Sequence, residues 1–133
     1  MEKQHALQQL EQLQKKLYAI HYACSAMNLD ADTVAPKNTS EGRGVALGVL
    51  AGEEQQLMIC PETRALLDEL DRQKDELDLL HRREVEALRR RCDQLTRIPA
   101  EEYIAYSALV NKAGDVWHKA KEKDEYESKY IVI

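Results

Sequence analysis

A chain of 133 residues with a net charge of −5, 32% charged and 44% hydrophobic side chains has the size and balance of one folded domain, not of a disordered segment. No apolar run nears the roughly 18 residues that a membrane-spanning helix needs, and the acidic balance argues against general nucleic-acid binding. Three cysteines, Cys24, Cys60 and Cys92, are odd in number and far apart, which suits reduced thiols in a cytoplasmic protein better than a disulfide framework.

The opening MEKQHALQQL has no apolar core of a secretion signal, in keeping with that location. Leu7, Leu10, Leu13, Leu17, Ile20, Cys24 and Met27 then follow at steps of three and four. They form one stripe on a helix over residues 3–28. The next stretch, LDADTVAPKNTSEGRG from Leu29 to Gly44, loses the period and gathers turn residues, so 29–39 is expected as one long polar loop. Pro36 disfavours helix at Ala35. Thr39 or Ser40 is placed to cap a second helix over 40–58, with Glu41 near its positive end. Gly48 and Gly52 lie inside that helix, where each costs about 1 kcal/mol against Ala. Set four apart, they allow another helix to approach closely.

Pro61 suits the first turn of a third helix over 61–73, whose apolar face is Leu66, Leu67 and Leu70. The run DRQKDELD weakens the period and places a break near 73–78. A fourth helix over 77–97 carries Leu77, Leu80, Val85, Leu88, Cys92 and Leu95. Pro99 closes it and opens a fifth over 100–122, with Glu101 and Glu102 at its positive end. Tyr103, Tyr106, Val110, Ala113, Trp117 and Ala120 give that helix its three-four spacing. Only the last residues, ending on Ile131, Val132 and Ile133, have a strand-like composition. The expected architecture is all-α, an array of five helices in a single helical domain over 1–133.

Candidate chemistry is sparse. A helical zinc protease site needs H-E-x-x-H, two imidazoles on one face with a glutamate base between them. The four histidines offer only pairs: His21 with Cys24, His81 with Glu84, and Asp115 with His118, each one helical turn apart. A structural zinc takes four ligands, so these pairs read as surface or core-edge polar groups. The run HRREVEALRRR holds five arginines, interleaved with Glu84 and Glu86. It reads as a solvated face with ion pairs in preference to a phosphate-binding patch. No C-x-x-C activates a thiol, and Cys92 sits in an apolar stripe, where a cysteine is inert. The residues alone therefore assign no catalytic, cofactor-binding or metal-binding side chain.

The order of residues adds a resemblance. LDADTVAPKNTSEGRGVALGVLAGEEQQL resembles the early W-D-x-E-T-x-x-P segment of the thermostable (Taq-type) carboxypeptidases, a family of zinc metallopeptidases. The resemblance continues through CPETRALLDEL and HRREVEALRRRCDQLTRIPAEEY. It is strongest in YIAYSALVNKAGDVWHKAKEKDEY, which is similar to the family helix ending in W-x-x-A-[KR], here Trp117 to Lys121. The chain departs from the pattern at Leu29, where the family has Trp, at Asp32, where it has Glu, and along the tail YESKYIVI.

The resemblance implies the N-terminal helical portion of such an enzyme, as a fragment or a short paralogue. Complete members remove C-terminal residues from peptides, using a zinc held by an H-E-x-x-H helix that lies later in a longer chain. No position here matches that helix, so the chain alone is expected to be inactive and without a cofactor. Neither a nucleic-acid nor a membrane partner is expected. The alternative is a stand-alone interaction module, a homo-oligomer formed through an exposed apolar face. A third reading, an independent enzyme or metal protein using His21, Cys24, His81 or His118, ranks below both.

Overall fold

The structure is a computed structural model that describes residues 2–123. It is all-α, with five helices: α1 (Lys3–Thr33), α2 (Ser40–Ile59), α3 (Pro61–Arg72), α4 (Leu79–Thr96) and α5 (Ala100–Lys123), and a 3₁₀ turn at Lys74–Glu76. No strand occurs among the described residues. The aliphatic end of the tail lies outside them.

The largest difference from the sequence expectation is at the first loop. α1 does not stop at residue 28 but runs to Thr33, so the connection shrinks from 29–39 to 34–39. Nothing in LDADT breaks a helix, and the Thr33 hydroxyl donates to the Leu29 carbonyl at 2.6 Å. The period disappears because this end is not buried: Leu29 is 65% exposed. Periodicity reports burial, and a helix outlasts it until Pro36 forbids the next turn. Asn38 then takes a left-handed φ of 67°, a conformation Asn tolerates. The Thr39 hydroxyl donates back to the Pro36 carbonyl at 2.8 Å, so it tightens the turn.

The other boundaries follow local chemistry. Cys60 takes the N-cap position of α3 with Pro61 just inside. Asp78 caps α4, accepting from the His81 amide at 2.9 Å. That cap starts α4 at Leu79, two residues later than expected, and leaves Leu77 extended yet buried. Leu80, placed in the apolar stripe, is exposed instead.

The chain divides into two compact units. Within the described span, the first joins residues 2–19 to 53–99, and the second joins 20–52 to 100–123. The first unit has a leucine-rich core: Leu10, Leu13 and Leu17 from α1, Met58 from α2, and Leu66, Leu67 and Leu70 from α3 are all buried. α4 adds Val85, Cys92 and Leu95. Three polar side chains, Glu54, Gln55 and Thr63, lie in this core. Gln55 is wholly buried and donates to the carbonyls of Leu95 (3.1 Å) and Ile98 (2.7 Å), at and just beyond the end of α4. Glu54 pairs with Arg91 at 2.8 Å.

In the second unit α2 and α5 run antiparallel, and the glycines are the reason they approach closely. A Cβ at Gly48 would stand 3.1 Å from Ile104 Cγ2, and one at Gly52 3.0 Å from Ile104 Cδ1. Gly44 faces Asn111 in the same way, at 3.1 Å from its Nδ2. Leu47 and Ala51 are buried. Of the fifth helix's predicted stripe only Ala120 is buried, and Tyr106, Val110 and Trp117 are exposed.

Candidate functional site

The sequence raised three ligand pairs, and the structure gives each a local setting. His81 is bound by its own cap: its ring Nδ1 lies 2.7 Å from Asp78 Oδ1, the oxygen that also receives the His81 amide. The amide bond and the imidazole together hold the Asp78 carboxyl below its usual range. Glu84 joins His81 on the wall of a shallow cleft of about 300 Å³, opposite the α1 side chains of Gln4, Gln8 and Glu11. His21 and Cys24 sit one turn apart on α1, the first exposed and the second half-buried.

Asp115 and His118 have the richest surroundings. They line a polar cleft of about 360 Å³ in the second unit with Asn28, Asp32, Arg43 and Asn111. His118 Nε2 lies 2.8 Å from Asp32 Oδ1, which ties α5 to the last turn of α1. Asp115 pairs instead with Lys119 at 3.1 Å. Arg43 Nε donates to Asn111 Oδ1 at 2.9 Å, and Asn111 Nδ2 donates to the Ser40 carbonyl at 2.8 Å. These groups fasten three helix segments to one another. The cleft's lining includes no serine, cysteine or threonine that the adjacent imidazole could activate as a nucleophile.

Arg43, Asn111, Ser40 and Asp32 were not singled out as a network from the sequence. The one available signal was Asn111, an amide set among Ala, Leu and Val in YIAYSALVNKAG. A half-buried amide needs partners, but spacing along α5 could not say that they come from the start of α2.

The arginine run behaves as a solvated, paired face. Arg83 meets Glu86 at 3.1 Å, Arg89 meets Asp68 at 2.5 Å and Arg91 meets Glu54. Arg82 donates to the Leu77 carbonyl at 3.2 Å. No group of three or more His, Cys, Asp or Glu side chains able to hold a metal ion forms among the described residues, whereas a catalytic zinc keeps three protein ligands. Cys24, Cys60 and Cys92 form no disulfide, and Cys92 is buried.

Comparison with known proteins decides the family. The profile of the Carboxypeptidase Taq (M32) metallopeptidase family matches residues 9–130. The chain belongs to the Taq-type carboxypeptidase family. Carboxypeptidase 1 of Bacillus subtilis (strain 168) is 32% identical over 108 residues, which are 80% of this chain and 22% of that protein. The crystal structure of BsuCP superimposes with a TM-score of 0.90 at 26% identity, covering 96% of this chain and 26% of that one. This Taq-type chain thus spans about a quarter of the length of the relatives it matches. The resemblance first visible around LDADTVAPKN is a true family relationship. The departures at Leu29 and Asp32 fall on the exposed end of α1, where Asp32 makes the contact to His118.

Proposed function

We propose that this chain is a non-catalytic helical portion of a zinc metallocarboxypeptidase, which supplies scaffold and not the peptide-cleaving chemistry. The observation that supports this most is the match of residues 9–130 to the family together with the quarter of each relative that it spans. The candidate ligands add to it. His81 is engaged by a helix cap and His118 by a cross-helix aspartate. Such a portion works in the cytoplasm, with its thiols reduced, and binds neither nucleic acid nor membrane. No helix among the described residues is long and apolar enough to cross a membrane.

The test is direct. The purified chain, supplied with zinc and a set of peptides, is expected to release no C-terminal residue and to retain no stoichiometric zinc after gel filtration. One zinc per chain with peptide hydrolysis would overturn the proposal.

A second reading is self-association, and one observation favours it. The second unit leaves Val45, Val49, Tyr106, Leu109 and Val110 between 46% and 66% exposed, an apolar surface of the kind that recruits a partner.

A further inference from the structure

We propose that the groove between α2 and α5 of the second unit is a docking site for this chain's own residues 129–133, KYIVI, laid back along α5 in the opposite direction. The groove, of about 730 Å³, is not uniform along its length. Ser40, Glu41, Lys112 and Asp115 line one end, and Val45, Val49, Ile104 and Ala108 line the other. The glycine contacts fix that order, since Gly44 meets Asn111 and Gly48 meets Ile104. Val45 and Val49 are both exposed, and an open apolar patch of this kind favours a cover. The proposal stands apart from the self-association reading, because the occupant comes from the same chain.

Reach selects this occupant. Ala108 lies fifteen positions before Lys123, about 22 Å back along α5 at about 1.5 Å per residue. Ile131 lies eight positions after Lys123, about 26 Å of extended chain at about 3.3 Å per residue, so a few ångströms remain for the reversal. The order of polarity agrees. DEYESK, residues 124–129, is charged, and YIVI, residues 130–133, is apolar. A segment returning from Lys123 passes the polar end of the groove first and brings its aliphatics to the apolar end. In that register Lys129 comes beside Glu41 and Asp115, two carboxylates set against the single ammonium of Lys112. Alternate side chains of an extended segment face one side, so Ile131 and Ile133 would enter the groove together. The family match ends at residue 130, and the family pattern does not account for the three aliphatics that follow.

The experiment is photo-crosslinking in the full chain, with benzoylphenylalanine in place of Ile133, an apolar probe that keeps the segment's character. Mass spectrometry is expected to find it joined to Val45, Val49 or Ile104 in a product of one-chain mass. The variant Val45→Asp with Val49→Asp puts charge into the apolar end and is expected to lower that yield about tenfold. Both valines are exposed, and circular dichroism checks that the variant stays helical. A yield indifferent to the two aspartates, or cross-links scattered over other helices, overturns the proposal. A product of two-chain mass joined at Val45 or Val49 overturns it as well, and leaves self-association standing. A one-chain product at the groove, lost in the aspartate variant, supports it whether or not the chain also self-associates.

Discussion

The two units draw on the same two long helices, yet among the described residues only the first builds a large apolar core. In the first, Leu10, Met58, Leu67, Leu70 and Leu95 are less than 2% exposed. Each large apolar side chain so buried contributes roughly 1.5–3 kcal/mol. In the second, the buried apolar residues among those described are Leu47, Ala51 and Ala120, while Val45 and Val49 lie more than half open. The reason is the number of faces available. The first unit sets parts of four helices around one centre. The second has the end of α1 and two close helices whose glycines let backbones meet, and close backbones leave little volume for side chains. Both units are helical, so helicity alone says little about where stability resides.

Substitution inside the two units should break the comparison most sharply. Leu67→Ala removes a wholly buried side chain and is expected to cost about 2–5 kcal/mol in urea unfolding. Val110→Ala, in α5 and half exposed, is expected to change stability by no more than about 0.5 kcal/mol. Equal costs would show that α5 carries a packed core after all. Native-state hydrogen exchange gives the same contrast without mutation: amides of α5 should exchange before those of α3.

The glycines test whether close approach is what holds the second unit. Gly48→Val drives a branched side chain against Ile104 and is expected to destabilise by about 1–3 kcal/mol. Gly42→Ala, where an added Cβ meets nothing within 4 Å, is expected to stabilise by up to about 1 kcal/mol through helix propensity alone. If Gly48→Val were neutral, the α2–α5 contact would be loose, and the lack of a core would extend to a lack of packing.

Much of this was legible from residue order. The stripe of Leu10, Leu13 and Leu17, the breaks at Pro36, Pro61 and Pro99, and the helix contact at Gly48 and Gly52 all follow from spacing and steric rules. The end of α1 was not, because residues 29–33 are helical without being buried, and a pattern search sees only burial. The exposure of Tyr106 and Val110 was not legible either. Their three-four spacing is that of an amphipathic helix, and nothing local says that no partner element covers them. Cross-helix polar contacts, His118 with Asp32 and Asn111 with Ser40, join residues 86 and 71 positions apart. Only the fold brings such residues together. The family, by contrast, was visible in the order of residues before any site was.

The smallest expected effect concerns the first unit's one aspartate cap. Asp78 accepts the His81 amide and lies beside the His81 ring, and these contacts lower its pKa in the folded chain. A depressed carboxyl favours folding once the unfolded carboxyl is ionised, and that contribution is lost as pH falls through the folded value. Asp78→Ala should therefore lower the melting temperature modestly near neutral pH. The gap from the parent chain should close progressively in acid, below the ordinary carboxylate range. A gap unchanged into acid would mean that Asp78 acts through its size or backbone and not through its charge. Because the first unit has a core and the second barely one, the loss should appear as earlier exchange at the start of α4, with α5 unaffected.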